Sequence, residues 1–130
     1  MANHFQKNYT LEEARALLPE IRQWLGELNH LRQRVEQLEK RLDHIVSGGG
    51  DAGGESVNEL IRSLCAIKGL LLKFHAREIQ LKDLERGLID FPAIVAGREV
   101  FLCWEQDEDD IEYWHDLDTG YAGREKLPEA

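Results

Sequence analysis

The strongest constraint on the fold is a run of apolar residues spaced alternately by fours and threes in the first third of the chain. Its members are Leu17, Ile21, Trp24, Leu28, Leu31, Val35, Leu38, Leu42 and Ile45. This heptad spacing, with Glu, Gln, Arg and Lys between the apolar positions, is typical of a coiled-coil helix. Thr10 and Glu13 form a capping-box pattern, so the helix is predicted over residues 10–46. Pro19 predicts a kink and not an end, because the spacing continues past it.

A glycine-rich segment, residues 47–55, predicts a turn after this helix. Ser56 and Glu59 form a second capping-box pattern, and a second helix is predicted over 56–76. Its apolar residues repeat the three-four spacing at Val57, Leu60, Leu64, Ile67, Leu71 and Phe74. The two helices are predicted to fold back on one another, but the second covers only roughly 30 Å of the first. The start of the first helix therefore needs the C-terminal third as its packing partner.

The apolar period changes from 3.6 to 2 in residues 78–116, which predicts antiparallel strands. The expected strands are 78–82, 88–95, 98–105 and 111–115, with Ala96-Gly97 as a tight hairpin turn. Pro92 weakens the prediction for the centre of its strand, because proline cannot donate to a ladder. Residues 117–130 are predicted to be loop. The chain is thus predicted to be one α+β domain, 1–130, with a long antiparallel helical hairpin, coiled-coil-like, and a small C-terminal antiparallel β-meander.

The negative charge of the chain is concentrated in one place. Eight acidic residues and no Lys or Arg lie between Glu105 and Asp118. Removing these eight from the 25 acidic residues leaves 17, against 16 basic residues. The field of such a cluster repels phosphate backbones and anionic lipid, so it disfavours nucleic acid and membrane surfaces and favours a basic protein partner or cations.

The expected compartment is the cytoplasm. The N-terminal residues lack the basic start and the apolar core of a secretion signal, and no apolar run is long enough to cross a bilayer. The two cysteines, Cys65 and Cys103, have no CxxC partners, which favours buried structural thiols over a disulfide or a zinc site.

The candidate site residues lie in residues 101–124. A five-residue turn at 106–110 would place Glu105 opposite Ile111, Cys103 opposite Tyr113 and Phe101 opposite His115. The candidate metal ligands are Glu105, His115, Asp116 and Asp118, with Cys103 as a further candidate. This donor set suits Mg, Mn or non-haem iron more than structural zinc. A solvated acidic rim explains the same residues without any ion, so no cofactor is favoured and a divalent metal is the alternative.

The candidate catalytic residues are His115 as a base, Asp116 or Asp118 as its orienting partner and Arg124 as an anion clamp. No serine or cysteine nucleophile is marked by a recognisable motif. A structural reading explains each of them as well: a hydrogen-bonded histidine at a strand end, and an arginine that neutralises the neighbouring acids.

Several segments together resemble the uncharacterised bacterial family called domain of unknown function 2203. They are residues 10–20, Leu81-Lys-Asp83, residues 87–92, Leu102-Cys-Trp104, Tyr113-Trp-His-Asp116 and residues 120–124. The resemblance covers nearly the whole chain and implies a cytoplasmic bacterial setting. It brings no established activity, so it assigns no functional residue. Residues 106–110 are more acidic than the short glycine-containing turn associated with the family.

The leading functional hypothesis from the sequence is a non-enzymatic interaction or adaptor module. Helices of this regularity usually bury their remaining apolar surface against another copy, which predicts a homodimer through the hairpin. The alternative is a small metal-dependent enzyme or ligand-binding protein that uses the acidic and histidine residues near 105–124.

Overall fold

The structure is a computed structural model that describes residues 3–50 and 54–128. Two helices, α1 (Leu11–Ser47) and α2 (Glu55–Ala76), are followed by strands β1 (Gln80–Asp83), β2 (Leu88–Val95), β3 (Arg98–Glu105), β4 (Tyr113–Asp116) and β5 (Glu125–Lys126). A 3-10 turn, Tyr121–Gly123, precedes β5. The strands pair antiparallel in the order β1-β2-β3-β4-β5. The predicted α+β fold, a helical hairpin with an antiparallel meander, is confirmed.

Helix α1 begins as predicted. The Thr10 hydroxyl accepts a hydrogen bond from the Glu13 N–H (3.0 Å), and the Glu13 carboxylate accepts one from the Thr10 N–H (2.9 Å). This capping box satisfies two donors that an α-helix leaves without internal partners. The helix then continues through Pro19 for 37 residues in all.

Helix α2 begins differently from the prediction. Gly54 occupies the N-cap position with φ of +90°, and no side chain caps the helix. The predicted capping box of Ser56 and Glu59 is wrong, because the helix starts at Glu55 and places Ser56 inside its first turn. Glu59 instead accepts two hydrogen bonds from the Arg34 guanidinium across the hairpin (2.6 and 2.9 Å). Of the predicted turn 47–55, residues 51–53 lie outside the described residues.

The face that α2 turns towards α1 also differs from the prediction. Leu64 and Leu71, predicted to lie in the seam, are 47% and 42% exposed. Phe74, also predicted to lie in the seam, is buried, and Ser63 and Leu70 are buried in place of the two leucines. Both sets of positions obey the three-four spacing, so periodicity alone cannot decide which face of a doubly apolar helix packs inward.

The core lies between the inner face of the sheet and the adjoining parts of the two helices. It contains Leu18, Ile21, Trp24, Leu25 and Leu28 of α1, Leu70 and Phe74 of α2, Ile89, Phe91 and Ala93 of β2, and Leu102 and Trp104 of β3. Trp24 meets Phe74 edge to face, with ring centroids 5.3 Å apart. The predicted packing of the start of α1 against the C-terminal third is therefore confirmed.

The β2–β3 hairpin has the predicted boundaries. Its two turn residues, Ala96 and Gly97, have φ of 53° and 76°, as a two-residue turn with the right twist requires. Pro92 does not interrupt β2. Its carbonyl accepts from the Tyr9 N–H (2.7 Å), and a strand residue points its N and O to the same side. The Pro92 nitrogen, which carries no hydrogen, therefore points away from β3. It lies past Asp90, the last β2 residue that pairs with β1, so no ladder bond is lost there.

Strands β1 and β4 differ from the prediction at both ends, and the structure adds a fifth strand. Strand β1 begins at Gln80 and not at 78, and β4 begins at Tyr113 and not at 111. Ile111 is fully buried in the core, and its carbonyl accepts from Arg15 (2.8 Å), so it is not available to the ladder. The tail predicted to be loop contains β5, which pairs with Tyr113 and Trp114.

Candidate functional site

A group of polar side chains is buried on the outer face of the sheet, away from the helices. Alternation along β2 and β3 sends Ile89, Phe91, Leu102 and Trp104 into the core. The intervening residues point outward, and Asp90 pairs directly with Cys103. On the next strand His115 pairs with Phe101, so its side chain lies on the same face. The predicted pairs Cys103–Tyr113 and Phe101–His115 are confirmed, whereas the predicted pair of Glu105 with Ile111 does not form.

Asp90, Cys103 and His115 form a compact buried cluster. Their exposed fractions are 3%, 0% and 2%. One carboxylate oxygen, the sulfur and one ring nitrogen all lie within 4.8 Å of one another. In residues 3–50 and 54–128 this is the one group of three metal-ligand side chains that approach so closely.

The hydrogen bonds of the cluster define where its protons lie. His115 Nδ1 is 2.8 Å from the carbonyl oxygen of Asp116, which can only accept, so Nδ1 carries a proton. His115 Nε2 is 3.0 Å from Oδ2 of Asp90. A single proton between these two atoms forms that bond, whether it resides on the imidazole or on the carboxyl group. The Asp90–His115 pair is thus electrically neutral as a unit.

Cys103 is held as a thiol. Burial, followed by the neighbouring Asp90, raises the pKa of Cys103 to about 12, and the guanidinium of Arg124 lowers it in part. Both nitrogens of His115 are already engaged by Asp116 and Asp90. A cysteine nucleophile needs a lowered pKa or a free basic nitrogen beside it, and Cys103 has neither.

The second carboxylate oxygen of Asp90 has no partner. Oδ1 is buried and makes no hydrogen bond within the described part of the chain. Buried carboxylate oxygens are nearly always paired, because each unpaired one retains its desolvation penalty. Asp90 and His115 also line a cavity of about 220 Å³ on this face, together with Lys82, Phe101 and Tyr121. The cavity therefore lies beside two of the three cluster residues.

The segment after β4 covers part of the outer face. Arg124 donates to both oxygens of Glu108 (3.2 and 2.9 Å), and its guanidinium lies over the rings of Tyr113 and Tyr121, 3.9 and 4.2 Å from their centroids. The ion pair is largely buried, with 14% and 18% of the two side chains exposed. Arg124 was predicted as an anion clamp. Its guanidinium is instead engaged in these contacts, which link the tail to the acidic turn (residues 106–110) and to β4.

The other predicted site residues lie apart from the cluster. The Glu105 carboxylate pairs with Arg86, and the Asp116 carboxylate pairs with Arg98. Asp118 is exposed. Of the four predicted metal ligands, only His115 lies in the buried cluster, with Cys103, the further candidate. Asp116 contributes through its carbonyl and not through its carboxylate.

The acidic turn is docked against α1. Arg22 donates to the carbonyl oxygens of Gln106 and Glu108 (both 2.9 Å), and Arg15 pairs with Asp110 (3.0 Å). The turn is therefore a fixed part of the fold, and its side chains at Asp107 and Asp109 remain exposed.

A second candidate surface is the outward side of α2. We define the α2 outer face as Ile61, Leu64, Cys65, Leu71 and Leu72, all of which are exposed. The spacing of these residues places Ile61, Cys65 and Leu72 opposite the buried Ser63, Leu70 and Phe74, and Leu64 and Leu71 on the flank between the two sets. Apolar residues thus extend around much of helix α2, and one side of it is covered within the chain.

The sequence reasoning missed Asp90. The available signal was a single carboxylate within an otherwise apolar strand, Leu88 to Val95. The two-residue turn at Ala96-Gly97 sets the register of β2 and β3, and counting back from it places Asp90 opposite Cys103.

These features define a small α+β protein in which a helical hairpin carries a five-stranded antiparallel sheet with a buried polar cluster on its outer face. The chain belongs to the family described as uncharacterized conserved protein, domain of unknown function 2203, whose model matches residues 7–127. The resemblance stated from the sequence motifs is thereby confirmed. Neither a curated protein nor a solved structure matches the chain. No helix in the described residues has the length and apolar character needed to cross a membrane.

Proposed function

We propose that the protein is a non-enzymatic interaction module that forms a homodimer through the α2 outer face. The observation that carries this proposal is the exposure of four large aliphatic side chains on one side of a single helix: Ile61, Leu64, Leu71 and Leu72 are 42% to 54% exposed. Scattered exposed leucines are ordinary, but a contiguous apolar strip usually marks a contact surface.

A second copy of the chain fits this surface in an antiparallel arrangement. The N-terminal half of α2 carries Glu55, Glu59 and Arg62, whereas the C-terminal half carries Lys68 and Lys73, followed by Arg77. Glu59 is paired with Arg34 and Glu55 with Arg62, so the N-terminal half is close to neutral. Antiparallel pairing about a two-fold axis sets this half of one α2 against the basic half of the other and opposes the two helix dipoles. Parallel pairing would set the two basic halves together. Lys68, within the apolar strip, can extend its ammonium group to solvent along its aliphatic stem.

The geometry of the buried cluster favours this function over hydrolytic or thiol chemistry. The thiol of Cys103 is protonated, and His115 has no free ring nitrogen to serve as a base. The free thiols of Cys65 and Cys103 fit a reducing compartment such as the bacterial cytoplasm that the family resemblance implies.

The acidic turn is the surface that we expect a basic protein partner to contact, because Asp107 and Asp109 are exposed on a turn held by Arg15 and Arg22. The same charges oppose nucleic acid. A gel-shift experiment at low salt should show no retardation of duplex DNA or RNA, and a salt-sensitive shift would contradict this assignment.

The homodimer is tested by sedimentation velocity at tens of micromolar protein. The wild-type chain should sediment with twice its mass of 15.0 kDa. The Leu71→Glu variant puts a charge into the proposed interface of both copies and removes an apolar contact of roughly 1.5–3 kcal/mol from each. We expect the dimer dissociation constant to rise by about a hundredfold or more.

The matched control is Gln33→Glu, which adds the same charge at an exposed position of α1. It should leave the dimer unchanged. A monomeric wild-type protein would overturn the proposal, as would a Leu71→Glu variant that dimerises as tightly as the control.

A further inference from the structure

We propose that Asp90, Cys103 and His115 form a binding site for a divalent transition-metal ion of the zinc class. The three residues come from three neighbouring strands, β2, β3 and β4, and each presents one donor atom to the same point on the outer face. This proposal does not depend on the dimer, because the cluster lies on the sheet and the α2 outer face lies on the hairpin.

The spacing of the donors fits a tetrahedral ion after a small contraction. Ligand bonds of about 2.0–2.3 Å place the donor atoms of a tetrahedral site about 3.3–3.8 Å apart. Those of the cluster lie within 4.8 Å of one another, and Nε2 and Oδ2 are already 3.0 Å apart. The remaining change, at most about 1.5 Å for any pair of donors, is assigned to rotation of the three side chains.

The orientation of His115 is that of a metal ligand. Its Nδ1–H donates to the Asp116 carbonyl at 2.8 Å, which fixes the tautomer and turns Nε2 towards Asp90. Histidines that bind metals characteristically donate their other ring N–H to a carbonyl or carboxylate oxygen in this way.

The unpaired oxygen of Asp90 provides an independent observation. The side chain is only 4% exposed, yet Oδ1 has no hydrogen-bond partner in the described chain. A cation beside this carboxylate would compensate its desolvation, as hydrogen bonds do for other buried carboxylates.

Replacement of two protons by one divalent ion would leave the net charge of the buried cluster unchanged, which fits a buried site. Without metal, the cluster contains a neutral thiol and a neutral Asp90–His115 pair that shares one proton. With a divalent ion, the ligands are a thiolate, a carboxylate and a neutral imidazole, and their two negative charges balance the ion. Binding therefore releases two protons to solvent, one from Cys103 and one from the pair, and the site stays neutral throughout.

The donor set identifies the class of ion. One sulfur, one nitrogen and one oxygen suit zinc and similar ions, whereas Mg²⁺ and Ca²⁺ prefer oxygen donors alone. Arg124 beside Cys103 is already neutralised by Glu108, so it does not oppose the ion as a free charge. The cavity of about 220 Å³ next to Asp90 and His115 leaves room for water or a small anion as a fourth ligand, and Lys82 lines it as a positive charge.

Cobalt(II) is the probe that tests this site, because a cobalt–thiolate bond gives a charge-transfer absorption that requires a coordinated cysteine. Titration of chelator-treated protein should give one bound ion per chain, a thiolate band, and the release of two protons per ion measured with a dye in weak buffer. Zinc should displace the cobalt and raise the Tm.

The two cysteines provide a matched pair of variants. Cys65→Ala, on the α2 outer face, should retain the band in full, and Cys103→Ser should lose it. His115→Gln and Asp90→Asn should weaken binding by about a hundredfold or more, since even an outer-shell partner contributes 10–100-fold. Circular dichroism of each variant verifies the fold.

The proposal is overturned if wild-type protein gives no thiolate band at millimolar cobalt, or if the band depends on Cys65 and not on Cys103. Because the readout on the wild-type chain is decisive by itself, a variant that fails to fold does not leave the site undecided.

Discussion

At the scale of single residues, the outer face of the sheet depends on Asp90. A carboxylate in the middle of β2 is costly to bury, and it is retained here against His115, whose ring is fixed in turn by the Asp116 carbonyl. The aromatic ring of Phe101 packs against the same imidazole, with ring centroids 5.4 Å apart. The pair therefore joins β2 to β4 across β3, although those two strands share no ladder.

Replacing Asp90 tests the strength of this connection. In metal-free protein, Asp90→Ala leaves His115 Nε2 buried without a partner and should lower the free energy of unfolding by roughly 3–5 kcal/mol. Asp90→Asn retains a donor for that nitrogen and should cost only about 1 kcal/mol. Urea denaturation measures both values. Equal losses in the two variants would show that the hydrogen bond to His115 does not stabilise the fold.

The sequence predicts part of this site. Strand alternation and the five-residue turn at 106–110 predicted His115 and Cys103 on one face of the sheet, because strand period and turn length set the register. These patterns did not identify Asp90. The acidic residues in and beside the turn 106–110 are more prominent in the sequence, but the structure uses their carboxylates in ion pairs and turn hydrogen bonds. Pairing in three dimensions, and not local charge density, decides which carboxylate is buried.

At the scale of elements, the β1–β2 turn meets the end of β3 at Gly87. This residue has φ of +64°, and a Cβ there would lie 2.4 Å from Cβ of Gln106. Gly97, in the β2–β3 turn, also has a positive φ (+76°) but open space around it. Comparing substitutions at the two glycines therefore distinguishes the energetic cost of a positive φ from the cost of a steric clash.

Alanine substitutions make use of that difference. Gly97→Ala should cost about 1 kcal/mol of unfolding free energy from the left-handed backbone alone. Gly87→Ala adds the clash with Gln106, so its cost should be larger, about 2–3 kcal/mol. Thermal denaturation compares them. A Gly87→Ala variant as stable as Gly97→Ala would show that the β3 end can move aside freely.

The two helices show that apolar spacing predicts where a helix begins and ends better than it predicts which face packs inward. The boundaries of α1 and α2 agree with the apolar spacing to within a residue or two, because capping and glycine signals are local. The inward face of α2 was predicted only in part: Phe74 is buried as expected, but Leu64 and Leu71, which satisfy the spacing as well as Leu70 does, are exposed. The inward side of α2 is the one whose Phe74 packs against Trp24 and the sheet. These are tertiary contacts, which local spacing does not encode.

At the scale of the whole molecule, the two apolar sides of α2 link the fold to the proposed assembly. One side completes the core between the hairpin and the sheet, and the α2 outer face is exposed, where we propose that a second copy binds. A dimer built this way leaves the sheet, with its buried cluster and acidic turn, clear of the helix–helix contact. In each copy, the Arg124–Glu108 ion pair holds the tail against the sheet of the same chain.

Chemical cross-linking at Cys65 tests this assembly most directly. Cys65 is exposed near the centre of the α2 outer face, whereas Cys103 is buried. Antiparallel helices packed about 8–10 Å apart, with the axis near residues 66 and 67, would bring the two Cys65 thiols within reach of a short bismaleimide. The account predicts a covalent dimer from the wild-type chain, none from Cys65→Ala and little from Leu71→Glu. Absence of a covalent dimer from the wild-type chain, or equal cross-linking in the Leu71→Glu variant, would contradict it.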